Sequence, residues 1–177
     1  YECYTGTADL YVYFYEQGLR LLKENGYLSY ISSNKYFRAG YGEKLRNYLA
    51  HNSTIELLID FGDANVFEAI AYPSIILLKK APPLPSQRED KAVKVPLIKK
   101  ENGVEVPIKG DLGRSKSPLK VNLVGDQNHQ IKVLNWSANQ PLNDFQKVYE
   151  KDSFLLPQKS LTADGWRLES SQILNLL

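Results

Sequence analysis

Two short stretches gather side chains able to handle a polyanion and a flat base. The first, SSNKYFRAGYG at residues 32–42, combines hydroxyl and amide groups, the cations Lys35 and Arg38, three aromatic rings and two glycines. Cations neutralise phosphate and aromatic faces stack on bases, so the mixture suits nucleic acid. An ordinary polar loop with Tyr36 and Phe37 turned inward has the same composition. The second stretch, FGDANVF at 61–67, ends on Phe67. An enzyme acting on a base inside a duplex must extrude it and hold it by stacking. Phe67 can supply such a face, or it can simply fill the core.

Other chemistry is poorly represented. Asp60 and Asp63 are close in sequence but have no obvious third ligand, and Cys3 is the single cysteine, so no metal site is expected. His51 and His129 lie far apart and read as surface residues. No phosphate loop, GxGxxG, Ser/His/Asp set or Cys/His pair occurs.

The elements that must position the two stretches follow from periodicity and capping. Thr7 to Lys23 reads as a helix, with Thr7 as cap, Asp9 in the first turn and Asn25-Gly26 as the stop. Leu10, Tyr13, Phe14, Leu21 and Leu22 recur at helical spacing, and Gly18 leaves room for a close neighbour. Residues 27–32 form a strand, 43–51 a second helix, and 55–60 and 74–79 two apolar strands. This order implies an α/β sheet with parallel strands closing on an antiparallel pair. Both candidate loops follow strands, where open α/β sheets bind ligands. With three strands the sheet is incomplete, and the first strand should lack a neighbour.

At Ala81 the pattern changes. Pro82, Pro83 and Pro85 followed by SQRED make a stiff connector over 81–90. Residues 91–98, 104–108, 121–124 and 131–134 then alternate as small antiparallel strands would, 141–149 reads as a helix, and Asp164-Gly165-Trp166-Arg167-Leu168 precedes a last apolar run. We expect three parts: 1–80, the connector 81–90, and a β-rich segment 91–177. Residues 1–80 hold 8 Lys/Arg and 9 Asp/Glu, the remainder 14 and 11, and 11 of the 12 tyrosines precede residue 81.

The net charge of +2 is too small to identify a nucleic-acid partner by itself. The lone cysteine excludes an internal disulfide framework, and no apolar stretch approaches the ~20 residues of a membrane span. The default compartment is the cytoplasm, with no membrane partner. The chain opens on Tyr1, contains no methionine and closes on ILNLL, so both ends read as cuts through a longer protein.

Several phrases in fixed order carry a resemblance: Thr7-Ala8-Asp9-Leu10-Tyr11 with Leu21-Leu22-Lys23, GYLSYISSNKYFRAGYGEKLRNYL (26–49), IELLIDFGDANVF (55–67) and AYPSIILLKK (71–80). Together they resemble the later motifs of adenine-specific DNA methyltransferases of type II restriction–modification systems, in particular the TaqI-like group and fused restriction–methylation enzymes. The resemblance implies the C-terminal half of a Rossmann-like methyltransferase sheet, followed by a small β-rich segment leading into a truncated target-recognition region. It implies a site-specific DNA-methyltransferase of a restriction–modification or phage-defence system. Such an enzyme moves a methyl group from S-adenosylmethionine to the exocyclic amine of an adenine flipped out of double-stranded DNA.

The family's Asn/Asp-Pro-Pro-Tyr/Phe tetrapeptide and its glycine-rich cofactor loop do not occur in this sequence. The resemblance therefore assigns no catalytic residue here, and the chain alone is expected to be inactive. It places Phe67 against the flipped base, Lys35, Tyr36 and Arg38 on the DNA side, and Asp9 in support of the catalytic loop. The incomplete sheet predicts self-association through its exposed edge, by edge pairing or swapping, or packing of that edge by the chain's own later strands. A non-catalytic DNA-binding subunit of such a system is the alternative reading.

Overall fold

The first helix, α1 (Leu10–Leu21), starts later than the sequence suggests. Asp9 is its N-cap, and the Asp9 carboxylate accepts the Leu10 N–H at 2.7 Å. A short carboxylate beside the free amides of a helix start satisfies a donor and suits the helix dipole. That is why Asp9, and not Thr7, takes the cap. Val12, Tyr15, Glu16 and Leu19 form the buried face of α1. A Cβ at Gly18 would lie 2.9 Å from Leu28 Cδ2, so the glycine admits the following strand closely, as its position suggested.

The structure, a computed structural model, describes residues 1–68, 71–82, 98–101, 104–107, 126 and 128–169. The chain divides into two units, residues 1–82 with 123–177, and residues 83–122. In the first unit α1 is followed by β1 (Tyr27–Ser33), α2 (Glu43–Asn52), β2 (Ser53–Asp60) and β3 (Pro73–Lys80). In the second unit β4 (Ile98–Glu101) and β5 (Val104–Pro107) pair as an antiparallel ribbon. The first unit resumes with β6 (Gln130–Asn135), α3 (Phe145–Asp152) and β7 (Phe154–Pro157). The expected strand over 121–124 and the closing helix lie outside the described residues, as does most of the connector.

The main sheet has five strands in the order β1-β3-β2-β6-β7. The strand at 131–134, expected in a separate β-rich segment, joins this sheet as β6, parallel to β2. β1 and β2 point the same way, as a strand–helix–strand connection requires. They are not neighbours, however, because β3 runs between them antiparallel to both. The run Ser74–Leu78 is apolar enough to be covered on both faces, which a central place provides. β1 therefore ends one edge of the sheet, pairing among the described residues only with β3.

Each face carries its own core. Leu58, Ile76, Leu78, Ile131 and Val133 pack with Val12, Tyr15 and Leu19 of α1 and with Leu45 and Leu49 of α2. Ile59, Phe61, Leu134 and Trp136 pack with Val148 of α3 on the other face. Alternation along a strand separates Leu58 from Ile59 and Val133 from Leu134. A register shift between Ile55 and Leu57 changes the phase, so Ile55 and Leu58 share the helix-covered face. Gln158 is fully buried beside it, accepting the Ile55 N–H at 2.8 Å and donating to the carbonyls of Ala50 and Ser53.

Candidate functional site

Because β1, β2 and β6 run in one direction, the loops that follow them collect at one end of the sheet. A small hydrogen-bond hub ties these loops together. Asn34, directly after β1, donates from Nδ2 to Asp60 Oδ1 at 2.8 Å, and the same oxygen accepts the Gly62 N–H at 2.9 Å. The Asp60 carbonyl accepts the Trp136 N–H at 2.7 Å, Asn34 N–H donates to the Tyr72 carbonyl at 2.8 Å, and Phe61 N–H to the Pro73 carbonyl at 3.0 Å. One carboxylate thus holds the starts of two loops and, through its backbone, a third. Among the described residues no group of three metal-ligating side chains occurs, so Asp60 acts in this structure as a hydrogen-bond acceptor.

The loop after β1 begins with a 3-10 turn, Asn34–Phe37, whose Lys35 N–H donates to Ser33 Oγ at 3.3 Å. In such a turn residues three apart share a face. Lys35 and Arg38 accordingly face solvent while Tyr36 and Phe37 face inward. Tyr36, expected beside the two cations on the DNA side, is instead completely buried. Its ring meets Phe37, Tyr15 and Trp166 at centroid distances of 4.7, 5.6 and 5.6 Å. Burial pushes its phenol well above the ordinary value, so Tyr36 is a neutral packing group that positions the turn.

Arg46 of α2 anchors the same loop from below. Only 2% exposed, it donates through Nη1 to the carbonyls of Tyr36 (2.7 Å) and Ala39 (2.9 Å), and through Nε to Ala163 (2.7 Å). Burial lowers its pKa from the ordinary arginine value. A Cβ at Gly42 would overlap the Tyr36 carbonyl oxygen, so glycine is required there to let the turn close over Arg46.

The loop after β2 turns at Gly62, with φ of +54°, a conformation glycine adopts without cost. Phe61 and Ala64 are buried and Val66 packs on the α3-side core, which leaves Phe67 displayed at 48% exposure. Among the described residues Phe67 belongs to neither core cluster. Tyr72, which returns this loop to β3, is 41% exposed and has a φ of +45°. A left-handed tyrosine costs about 1–2 kcal/mol, and such strain persists where surrounding bonds hold it, here the hydrogen bond from Asn34.

Beneath the loop, Phe61, Trp136 and Phe145 form a stack with centroids 5.9 Å (Phe61–Trp136) and 5.6 Å (Trp136–Phe145) apart. It continues to Tyr149, whose ring carries the Lys132 ammonium 4.0 Å from its centroid. Asp9 is exposed and caps α1. His51 is exposed, whereas His129 is half-buried and faces Glu56 at 3.3 Å.

Sequence reasoning found the two loops but missed what fastens them. In the sequence Asp60 reads only as a potential metal ligand, and Arg46 and Trp136 carry no visible role. The available signal was the recurrence of polar side chains at strand ends, Asn34 after β1 and Asp60 at the close of β2.

Residues 1–67 match the family model described as Eco57I restriction-modification methylase. Curated relatives include the type II methyltransferase M.BstVI of Geobacillus stearothermophilus, 38% identical over 74 residues, which are 41% of this chain and 13% of that protein. The type II restriction enzyme and methyltransferase RM.Eco57I of Escherichia coli is 37% identical over 73 residues, 41% of this chain and 7% of that protein. The chain thus spans a small part of the length of these relatives. Among solved structures, the type IIG restriction endonuclease BpuSI superposes on 99% of this chain and 18% of its own, with a TM-score of 0.52 at 12% identity, a likeness of fold. Over its first 67 residues, which contain the loop after β1 and the start of the loop after β2, the chain is similar to the Eco57I restriction-modification methylases, and over about 74 residues to type II methyltransferases.

Proposed function

We propose that this chain is part of a site-specific DNA adenine-N6 methyltransferase of a restriction–modification system, and that its loops present the flipped adenine and the DNA backbone to a catalytic motif carried elsewhere in the protein. The observation that supports this most is Phe67. It is a large apolar ring held out in solvent by a loop whose base is fixed by Asp60, within the stretch that matches the methylase family. Covering such a ring removes apolar surface from water, a gain of roughly 25 cal/mol per Å². A base rotated out of the stack is a partner of the right shape, and the contact is worth roughly 1–3 kcal/mol. Lys35 and Arg38, displayed by the neighbouring turn, take the phosphates.

The methyl donor in this reading is S-adenosylmethionine. Gly42, after β1, offers no room for it, since the space there is filled by the Tyr36 carbonyl and Arg46. In this reading the residues of this chain serve the base and the DNA backbone, and the donor is held elsewhere in the protein. For the same reason the isolated chain is taken to be inactive.

The test uses a protein of the relatives' length that carries this segment. Transfer of labelled methyl from S-adenosylmethionine to adenine in unmethylated duplex DNA is measured beside Phe67→Ala. Transfer by the parent, with kcat/KM lowered roughly 5- to 150-fold in the variant, is expected from the stacking energy. No transfer to a pool of many DNA sequences, despite donor binding, would instead favour a non-catalytic DNA-binding subunit.

A further inference from the structure

We propose that the turn Thr162–Arg167 extends the DNA-facing surface begun by Lys35 and Arg38, with Arg167 and the Thr162 hydroxyl receiving a backbone phosphate. This rests on the DNA reading above. The turn lies outside the stretch matched by the family model, and the structure builds it onto the 3-10 turn of the β1 loop. Trp166 N–H donates to the Phe37 carbonyl at 2.9 Å, and the Trp166 and Phe37 rings lie 5.7 Å apart. The buried Arg46 binds both pieces at once, taking Tyr36 and Ala39 with one nitrogen and Ala163 with another. A bridge between Thr162 and Gly165 closes the turn on itself. Two segments more than a hundred residues apart are thus held as one surface by a single cation.

The surface has the character of a phosphate site. A cleft of about 310 Å³ opens beside it, lined by Ser160, Thr162, Asp164, Gly165 and Arg167. Arg167, Lys35 and Arg38 are all exposed, and among the described residues none of them forms an ion pair. Arg46 is held by backbone carbonyls, and the charges of Glu43 and Asp164 favour its charged form against the cost of burial. Asp164 is the one carboxylate lining the cleft, and among the described residues it forms no ion pair with Arg167. An exposed arginine without an ion pair, beside a hydroxyl, is suited to a phosphodiester, which accepts from both.

The chain itself is titrated against a short fluorescent DNA duplex over a series of salt concentrations. Each phosphate contact contributes about 0.9 to the slope of log K against log salt. Arg167→Gln is expected to reduce the slope by about that amount, as Arg38→Gln does, for duplexes of unrelated sequence, while Arg167→Lys retains it. An unchanged thermal melt of Arg167→Gln shows that the loss is not one of folding. A wild-type slope in Arg167→Gln, with a reduced one in Arg38→Gln, overturns the inference and leaves the DNA reading standing. No binding by the wild-type chain overturns both.

Discussion

Phe67 and Arg46 show opposite uses of a side chain at this site. Phe67 is exposed and makes little difference to the folded chain, so Phe67→Ala should leave stability within about 0.5 kcal/mol while lowering methyl transfer by the factor given above. Arg46 is the reverse. Its three hydrogen bonds run to carbonyls that have no access to its replacement, and Arg46→Met strands them. We expect a loss of roughly 2–4 kcal/mol in urea denaturation, with Arg46→Lys recovering only part, because an ammonium lacks the planar fork that reaches two directions at once. A midpoint unchanged by Arg46→Met would show that the loop does not depend on this anchor.

The elements cooperate through the hub at the sheet end. Asn34 belongs to the loop after β1 and Asp60 to the end of β2, so their contact couples loops that are separate in sequence. In a double-mutant cycle, Asn34→Ala and Asp60→Ala should each destabilise, and their effects should fall short of additivity by about 1 kcal/mol. Additive effects would mean that the two loops are held independently. The stack of Phe61, Trp136 and Phe145 completes the support, since it fixes the start of the β2 loop against β6 and α3.

Across the whole molecule, buried neutral acids set the response to alkali. Burial, and next the Glu16 charge, push the Cys3 thiol far above its ordinary value of 9.0, and burial raises Tyr15 and Tyr36 above 10.0. A group whose folded pKa is raised contributes stability that is complete below the unfolded pKa and is lost as pH climbs past it. The chain should therefore lose stability from about pH 9, by about 1.4 kcal/mol per pH unit for the thiol, and more steeply above about pH 10 as the tyrosines join. Denaturation midpoints followed from about pH 8 to 11 test this, and Cys3→Ala should move the onset upward by about one unit.

The sheet edge gives a second prediction at this scale. Tyr27 and Ile31 on β1 are 57% and 51% exposed, and one side of that strand is unpaired among the described residues. Concentration-dependent self-association by light scattering is expected, and Ile31→Lys should suppress it, since a charge on an edge strand opposes edge-to-edge pairing.

By itself the sequence determined the local elements and the two loops. Helical spacing from Leu10 to Leu21, the apolar runs at 55–60 and 74–79, and the polar and aromatic mixture after β1 all report on neighbours a few residues away. Only the tertiary structure decided that β3 lies between β1 and β2, that the strand at 131–134 joins the same sheet, and that Tyr36 turns inward while Phe67 stays out. Those outcomes depend on partners far away in the chain: Arg46 reaches Ala163, Gln158 reaches Ile55, and Trp166 covers Phe37. Periodicity records which face of an element is apolar, but the burial of a given ring is settled by the surface that arrives to cover it.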